Sequence, residues 1–220
     1  MQMENYVIKR TNTIRYLGVI VDECLSFKSH VSFISSKIAR NVGMMRKLKN
    51  IFHDSVLRLI YFSLVHQYLV YYVSIWSSTF SVHLQQLRVI QNMALRVLSG
   101  DNRRTSVRSQ YVQLNIIPVS GLGKFYHGLF MFKYFSNLVP KCFLNFLNLF
   151  ISGDDVHNYP TRHARDIRTP QVTSTRSLFS IRHVGPVVWN NLPVSLKRSA
   201  NLCEFRRDLK TLCLHRYEFV

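Results

Sequence analysis

Acidic side chains are scarce in this sequence, with 11 Asp and Glu against 29 Lys and Arg in 220 residues. A polymerase or nuclease that uses two metal ions needs several carboxylates converging on one point. Two adjacent acidic pairs are present. Asp154-Asp155 stands in a polar stretch without flanking apolar strands, which favours a solvated loop over a magnesium site. Asp22-Glu23 closes an apolar run, which favours a turn-forming surface pair over a contact with a metal or a basic neighbour.

Motifs that would indicate a zinc or disulfide framework, nucleotide binding or secretion are also absent from the sequence. The four cysteines include no CxxC pair, which favours reduced intracellular thiols over a disulfide or zinc framework. There is no GxSxG, no P-loop and no dinucleotide-binding motif, and none of the nine histidines has HxH or HxxxH spacing. The N-terminus lacks the apolar segment of a secretory signal. The sequence therefore predicts an intracellular protein, nuclear or cytoplasmic, without a cofactor or a catalytic residue of its own.

A strong basic excess is what the sequence has instead. The net charge is +18, which implies a polyanionic partner, most often nucleic acid and sometimes an anionic membrane surface. Residues 29–150 carry +12 of this charge, against +1 for 1–28 and +5 for 151–220. We expect non-specific phosphate contacts from the basic clusters at 37–49 and 103–108. The predicted contact residues there are Arg40, Arg46, Lys47, Lys49, Arg103, Arg104 and Arg108. For the arginines of the linker at 162–176, with Tyr159 among them, nucleic-acid contact and a solvated surface stay equally open.

Hydrophobic periodicity predicts a short β element followed by helices. An apolar run from Tyr16 to Val21, interrupted by Gly18, is typical of a strand pair. A basic amphipathic helix follows, with an apolar stripe at spacings of three and four formed by Val31, Ile34, Ile38, Val42 and Met45. A second helix is predicted from Asp54 or Ser55 to Trp76, and it has no charged residue over 59–76. Because His66, Gln67 and several tyrosines lie inside that stretch, a central core helix is favoured over a membrane span. The third helix runs from Ser81 to Gly100, with an apolar stripe formed by Leu84, Leu87, Ile90, Ala94 and Val97.

The second half of the chain is predicted to contain shorter elements. A short helix before Pro118, a longer helix, a break at Pro140 and a further short helix lead to a polar, basic linker after residue 150. "SLFSIR" at 177–182 predicts a strand, and "GPVVWNNLPVSLKRS" at 185–199 predicts no more than two short turns. "NLCEFRRDLKTLCLHRY" predicts a closing amphipathic helix. We therefore expect a mainly α fold that ends in a basic, partly irregular and loosely packed region.

The order of four motifs gives the chain a family resemblance. "YLGV", "QNMALR", "YPTRH" and "GPVVWNNLP" follow one another between residues 13 and 214. This order resembles the reverse transcriptases of non-LTR, LINE-like retrotransposons of the jockey or CR1 type. The resemblance implies a primer-grip-like hairpin over 1–28 with Tyr16, Leu17 and Gly18 contacting nucleic acid, a thumb-like helical bundle over 29–100, a helical connector over 101–150 and a basic tail over 151–220.

The resemblance also implies what the chain would lack. In that family a catalytic Asp-Asp hairpin and the fingers precede the primer grip, and Mg²⁺ belongs to the intact polymerase. We therefore expect a C-terminal thumb-and-tail fragment that binds RNA, DNA or hybrid duplex non-specifically and does not polymerise. Its partners would be nucleic acid and the palm and fingers of the parent polyprotein. Tyr16, Val19 and Val21 are expected to be poorly buried unless other segments fold over them.

Two other classes of function remain open from the residues. The first is a basic helical protein-interaction or structural protein without catalytic activity, which would bind a partner through exposed apolar surface. The second, less favoured, is a membrane-associated protein that uses 59–76. Salt-insensitive self-association would point to the first, and solubility without detergent would argue against the second.

Overall fold

The computed structural model describes residues 2–3, 6–7, 10–100, 106–141, 150 and 166–215. Four short strands open the chain and form two antiparallel pairs. The strands are β1 (Gln2–Met3), β2 (Tyr6–Val7), β3 (Thr13–Tyr16) and β4 (Val19–Asp22), with β1 paired to β2 and β3 to β4. The described chain after β4 is mainly helical, so a mainly α fold with a short N-terminal hairpin is confirmed.

Eleven α-helices are described. They are α1 (Lys28–Leu48), α2 (Asp54–Tyr61), α3 (Gln67–Val70), α4 (Val73–Trp76), α5 (Ser81–Ser99), α6 (Arg108–Gln113), α7 (Val119–Phe135), α8 (Thr175–Leu178), α9 (Ile181–Asn190), α10 (Val194–Lys197) and α11 (Leu202–His215). A π-helical turn, Phe62–His66, joins α2 to α3. The helices form two groups: α1, α2, α3 and α5 pack together, and α7 packs against α9 and α11.

Helix α1 carries the predicted apolar stripe. All five members of that stripe, from Val31 to Met45, are buried. The stripe faces α5, α2 and the π-helical turn, and α1 also packs against β4. Because the stripe occupies one side of α1 only, the opposite side of the helix, from Phe33 onwards, is left for the solvent and for the hairpin.

The sequence predicts one continuous helix over 54–76, but in the structure this segment is interrupted twice. Asn41 of α1 donates a side-chain hydrogen bond to the carbonyl oxygen of Leu64, within the π-helical turn. The helix then ends at Tyr71, and Tyr72 adopts a left-handed φ of 48° before α4 begins. One side of the segment is buried and the other is exposed, with Leu59 at 69% exposure. Within the described residues, no helix combines the length and the apolarity needed to span a bilayer.

Helix α5 follows its predicted bounds closely: it ends at Ser99, and Gly100, whose φ is 75°, forms the left-handed C-cap. Its buried stripe differs from the predicted one. Leu87, Ala94 and Val97 are buried, whereas Leu84 and Ile90 are half-buried. The unexpected core residue is Gln91, which is completely buried and anchors contacts to α2, α6 and α7.

The C-terminal region contradicts two predictions made from its prolines and its apolar pattern. The expected strand at 177–182 is part of α8 and the start of α9, because the hydroxyl of Ser180 accepts the backbone N–H of Arg182 and caps a helix there. The second prediction is two short turns over 185–199. The first of these is instead part of α9, which continues through Pro186 to Asn190. Packing against α7 stabilises this helix despite the backbone hydrogen bond that proline removes.

The described part of the tail, 166–215, is well packed rather than loose. The rings of Phe132 on α7 and Phe205 on α11 are stacked with centroids 4.3 Å apart, and Trp189 of α9 lies 6.1 Å from Phe205. Phe205 and Leu209 are fully buried, as the predicted amphipathic pattern of α11 requires. The second helix group is therefore built from residues on both sides of the polar linker.

Candidate nucleic-acid interface

The turn between β3 and β4 presents the three residues that the sequence singled out. Tyr16 pairs with Val19, so Leu17 and Gly18 form a two-residue turn. Their φ angles are 45° and 83°, as a type I′ hairpin turn requires. Tyr16 and Leu17 are largely exposed, at 66% and 59%. The turn therefore projects from the protein with its side chains accessible.

Three contacts hold this hairpin against the helices instead of against a larger sheet. Val19 is buried, with 3% exposure, where β4 packs on α1. The backbone N–H of Ile20 donates to Nδ1 of His30 at 3.3 Å. The hydroxyl of Tyr71 donates to the carbonyl oxygen of Leu17 at 2.8 Å. Tyr16 is therefore poorly buried, as expected. Val19 is buried because α1 folds over it, which is the exception that the expectation allowed, and Val21 is half-buried.

A groove of about 380 Å³ lies between the hairpin, α1 and α3. We call it the hairpin groove. Among the described residues, its lining contains cationic and aromatic side chains and no Asp or Glu. The principal lining residues are Arg15, Gly18, Phe33, Lys37, Tyr68 and Tyr71.

Phe33 organises the two cations of the hairpin groove. The guanidinium carbon of Arg15 and Nζ of Lys37 each lie 5.5 Å from the centroid of its ring, within the range of cation–π attraction. Cations that contact phosphates, placed beside aromatic rings on which bases stack, are the usual features of a single-strand nucleic-acid groove. The hairpin groove has both features on adjoining elements.

His30 forms the inner wall of the hairpin groove and is kept neutral. Burial lowers the pKa of its imidazole, and its Nδ1 atom accepts a backbone N–H, so the ring proton of the neutral form lies on Nε2. The ring also meets Trp76 edge-on, with centroids 6.0 Å apart. His30 therefore positions the hairpin on α1 and does not add to the positive charge of the groove.

The exposed side of α1 extends the hairpin groove into a line of cations. Phe33, Lys37, Arg40, Met44 and Lys47 follow one another at spacings of four and three residues, so they share one side of the helix. Arg40 and Lys47 are exposed, and none of the three cations forms an ion pair with a carboxylate in the part of the chain that the structure describes. We call Lys37, Arg40 and Lys47 the basic stripe.

The structure does not bring all predicted contact residues together. Arg46 lies about 100° around α1 from Lys47, and Lys49 at the helix exit points towards Gly100 of α5. Arg108 is exposed at the start of α6 and does not line the hairpin groove. Arg103 and Arg104 lie outside the described residues.

Several residues of the hairpin groove were not predicted as contact residues from the sequence, among them Arg15, Phe33, Tyr68 and Tyr71. Only Phe33 left a usable signal, because it precedes Lys37 by four residues on the polar side of α1. The other three come from β3 and α3 and its exit, and only the tertiary fold places them together. Comparison of the chain with protein-family models, curated proteins and solved structures finds no match. A function for this surface therefore follows from its chemistry and from the sequence motifs.

The acidic residues near the hairpin have structural contacts. The carboxylate of Asp22 accepts the backbone N–H groups of Cys24 and Ser26 at 3.1 and 2.9 Å, and Glu23 pairs with Arg10 at 2.8 Å. Asp22 therefore makes the predicted turn contacts, whereas Glu23 contacts a basic neighbour, which was the less favoured alternative. Asp154-Asp155 lies outside the described residues. Within the described ranges, no group of three His, Cys, Asp or Glu side chains is placed to hold a metal ion.

Proposed function

We propose that the chain corresponds to the thumb-and-tail region of a non-LTR retrotransposon reverse transcriptase, and that it binds nucleic acid non-specifically through the hairpin groove and the basic stripe. The observation that carries the binding proposal is the pairing of Arg15 and Lys37 around Phe33, beside the exposed turn at Leu17. The motif order from "YLGV" to "GPVVWNNLP" supports the family assignment.

The chemistry of the surface suits a nucleic-acid backbone rather than a particular base sequence. The side chains of the basic stripe would contact successive phosphates, which carry no sequence information. Phe33 and Tyr71 offer ring surfaces on which a base at the turn can stack. Since the groove lining has no Asp or Glu, we assign it binding and positioning rather than catalysis.

A salt titration tests the binding proposal. The dissociation constant of a fluorescent RNA–DNA hybrid is measured over about 50–200 mM salt for the wild-type chain and for a Lys37→Gln/Arg40→Gln variant. We expect wild-type affinity to fall steeply with salt, with a log–log slope of about 0.9 for each phosphate neutralised. The double variant should bind less tightly, and its slope should be smaller by roughly one to two contacts.

The matched control is Arg182→Gln/Arg198→Gln, which removes the same charge from two exposed positions on α9 and after α10. This control should keep most of the wild-type affinity. If both double variants lose affinity equally, binding depends on net charge alone and not on the hairpin groove. If the wild-type chain does not retain the hybrid at low salt, the nucleic-acid proposal fails.

A protein-binding function is the second candidate, and the outer surface of the hairpin favours it. Ile14, Tyr16 and Leu17 are 59–66% exposed on one two-stranded hairpin. An exposed apolar patch next to unpaired strand edges is typical of a protein contact. Sedimentation at low and high salt distinguishes the candidates, because self-association through this patch would persist at high salt and be lost in Ile14→Ser.

A further inference from the structure

A second, smaller cavity lies on elements that take no part in the hairpin groove. Its volume is about 130 Å³, and it is enclosed by the π-helical turn, the connection from α6 to α7, α7 itself and α11. We call it the π-turn pocket. It holds several water-sized groups or one tetrahedral oxyanion, and it has too little room for a nucleoside.

Three cations surround the π-turn pocket. Arg206 and Lys210 both line it and are one turn apart on α11. The guanidinium of Arg58 on α2 donates to the carbonyl oxygen of Leu114 at 3.0 Å and lies 5.7 Å from the ring of Phe62, which is also in the lining. Cations from α2 and α11 therefore meet at this cavity.

No carboxylate of the described residues neutralises these three cations. The two acidic residues of α11 have other partners: Asp208 is paired with Arg207 at 2.9 Å, and Glu204 accepts the backbone N–H of Ala200 at 3.1 Å. Burial, with the charges of Arg206 and Arg58, lowers the pKa of Lys210. The positive charges of Arg206 and Arg58 thus disfavour the charged form of Lys210, and an anion in the cavity would relieve this repulsion.

The π-turn pocket also contains neutral polar groups suited to an anion. The Nδ1 atom of His66 is buried without a hydrogen-bond partner among the described residues. Burial, and then the charge of Lys210, lowers the pKa of His66 to about 4. Tyr126 of α7 is in the lining as well, and its hydroxyl is a hydrogen-bond donor close enough to Arg206 to be influenced by its charge.

We propose that the π-turn pocket is a binding site for a phosphate group, held by Arg206 and Lys210 with Arg58 at its edge. The planar fork of an arginine binds two phosphate oxygens, and a lysine adds a point charge. His66 would donate or accept the remaining hydrogen bond. The π-helical turn fits this assignment, because such turns occur frequently at functional sites. The phosphate group could come from free inorganic phosphate or from a nucleic-acid backbone.

Thermal unfolding with inorganic phosphate tests the site. The midpoint of unfolding is followed for the wild type, Arg206→Gln, Lys210→Gln and the control Arg198→Gln, which removes one exposed charge outside the pocket lining, in phosphate and in chloride of equal ionic strength. We expect phosphate to raise the wild-type and Arg198→Gln midpoints and to leave the other two unchanged. In chloride alone, Lys210→Gln should melt at or above the wild-type temperature, because it removes a repelling charge.

Two further readouts identify the phosphate source and complete the test. Phosphate should shift the imidazole NMR signals of His66 in the wild type, which needs no variant. If free phosphate is the ligand, Arg206→Gln/Lys210→Gln binds an RNA–DNA hybrid as tightly as the charge-matched control Arg182→Gln/Arg198→Gln does. If backbone phosphate is the ligand, the double variant binds the hybrid more weakly and phosphate competes with the hybrid. The proposal is overturned if phosphate acts no differently from chloride and the hybrid affinities of the double variant and the control are equal.

Discussion

The hydroxyl of Tyr71 donates a 2.8 Å hydrogen bond to the carbonyl oxygen of Leu17, across 54 residues of sequence. It joins the exit of α3 to the turn of the hairpin. The same tyrosine ring lies against Gly18, where a Cβ atom would stand 3.4 Å from it. Tyr71 therefore fixes the position of a turn whose hairpin, in the part of the chain that the structure describes, belongs to a two-stranded sheet only.

Replacing Tyr71 by Phe should loosen the hairpin. The variant loses one hydrogen bond at a half-exposed site, and we expect the free energy of unfolding to fall by about 0.5–1 kcal/mol. Amide exchange at residues 16–20 should accelerate. The control is Tyr72→Phe, because the Tyr72 hydroxyl makes no hydrogen bond to a described residue. Equal exchange rates in the two variants would show that the Tyr71 hydrogen bond does not hold the turn.

The two turn residues should respond in opposite directions to substitution. Leu17 has a left-handed φ of 45° that asparagine tolerates better than leucine, so Leu17→Asn should stabilise the hairpin by about 0.5 kcal/mol. Gly18 has a φ of 83°, so Gly18→Ala should destabilise the protein by about 1 kcal/mol. Urea unfolding measures both changes. If Leu17 contacts nucleic acid, Leu17→Asn should also weaken hybrid binding while raising stability, whereas unchanged affinity would remove Leu17 from the interface.

Substituting alanine for two helical glycines should also change stability in opposite directions. A Cβ atom at Gly123 would lie 2.5 Å from Oγ and 2.9 Å from Cβ of Ser77, where α7 meets the region after α4. Gly123→Ala should therefore cost about 1–3 kcal/mol of stability. Gly43 has nothing within 4 Å of such an atom, so Gly43→Ala should add roughly 0.5–1 kcal/mol. A thermal melt of each variant checks the signs, and a loss in Gly43→Ala would contradict the packing of α1.

Helices with a single apolar stripe were predictable from the sequence, because burial on one side imposes spacings of three and four. The stripe of α1 and the pattern of α11 are the best cases. The break-up of 54–76 was not predictable, because it involves Asn41, which bonds a carbonyl 23 residues away. The hairpin groove was missed for the same reason: Arg15, Phe33 and Tyr71 come from three separate segments.

Acidification should destabilise the protein through its buried histidines. The pKa of His66 falls from 6.5 to about 4 on folding, chiefly because of burial, and burial also lowers the pKa values of His30 and His127. Between about pH 4 and pH 6.5 the unfolded chain therefore binds more protons than the folded chain does. The stabilising contribution of His66 is complete above about pH 6.5 and is lost as the pH falls towards 4.

Urea unfolding at several pH values measures this loss. His66 alone should account for up to roughly 3 kcal/mol between about pH 6.5 and pH 4. His66→Gln should make the decline shallower. A wild-type stability that stays constant over this range would contradict the burial of these imidazoles.

Substitution of Gln91 is expected to lower the stability of the protein more than any of the other substitutions. Its Nε2 donates to the hydroxyl of Tyr61 at 3.2 Å and to the carbonyl oxygen of Ile117 at 3.1 Å. Its Oε1 accepts from the backbone N–H of Val119 at 2.8 Å and from the hydroxyl of Tyr111 at 3.2 Å. One buried amide thus satisfies groups on α2, α6, α7 and the connection before α7, and it links the two helix groups.

Gln91→Leu keeps a side chain of similar size but leaves the N–H of Val119 and the carbonyl oxygen of Ile117 buried without a partner. Each orphaned group costs about 1–3 kcal/mol, so we expect a loss of roughly 2–5 kcal/mol. The control is Gln86→Leu, at an exposed position of the same helix, which should change stability by no more than about 0.5 kcal/mol. Equal unfolding midpoints for the two variants would mean that water or side-chain rearrangement replaces the Gln91 network. A selective loss in Gln91→Leu would establish this glutamine, which lies within the "QNMALR" motif, as the polar centre of the fold.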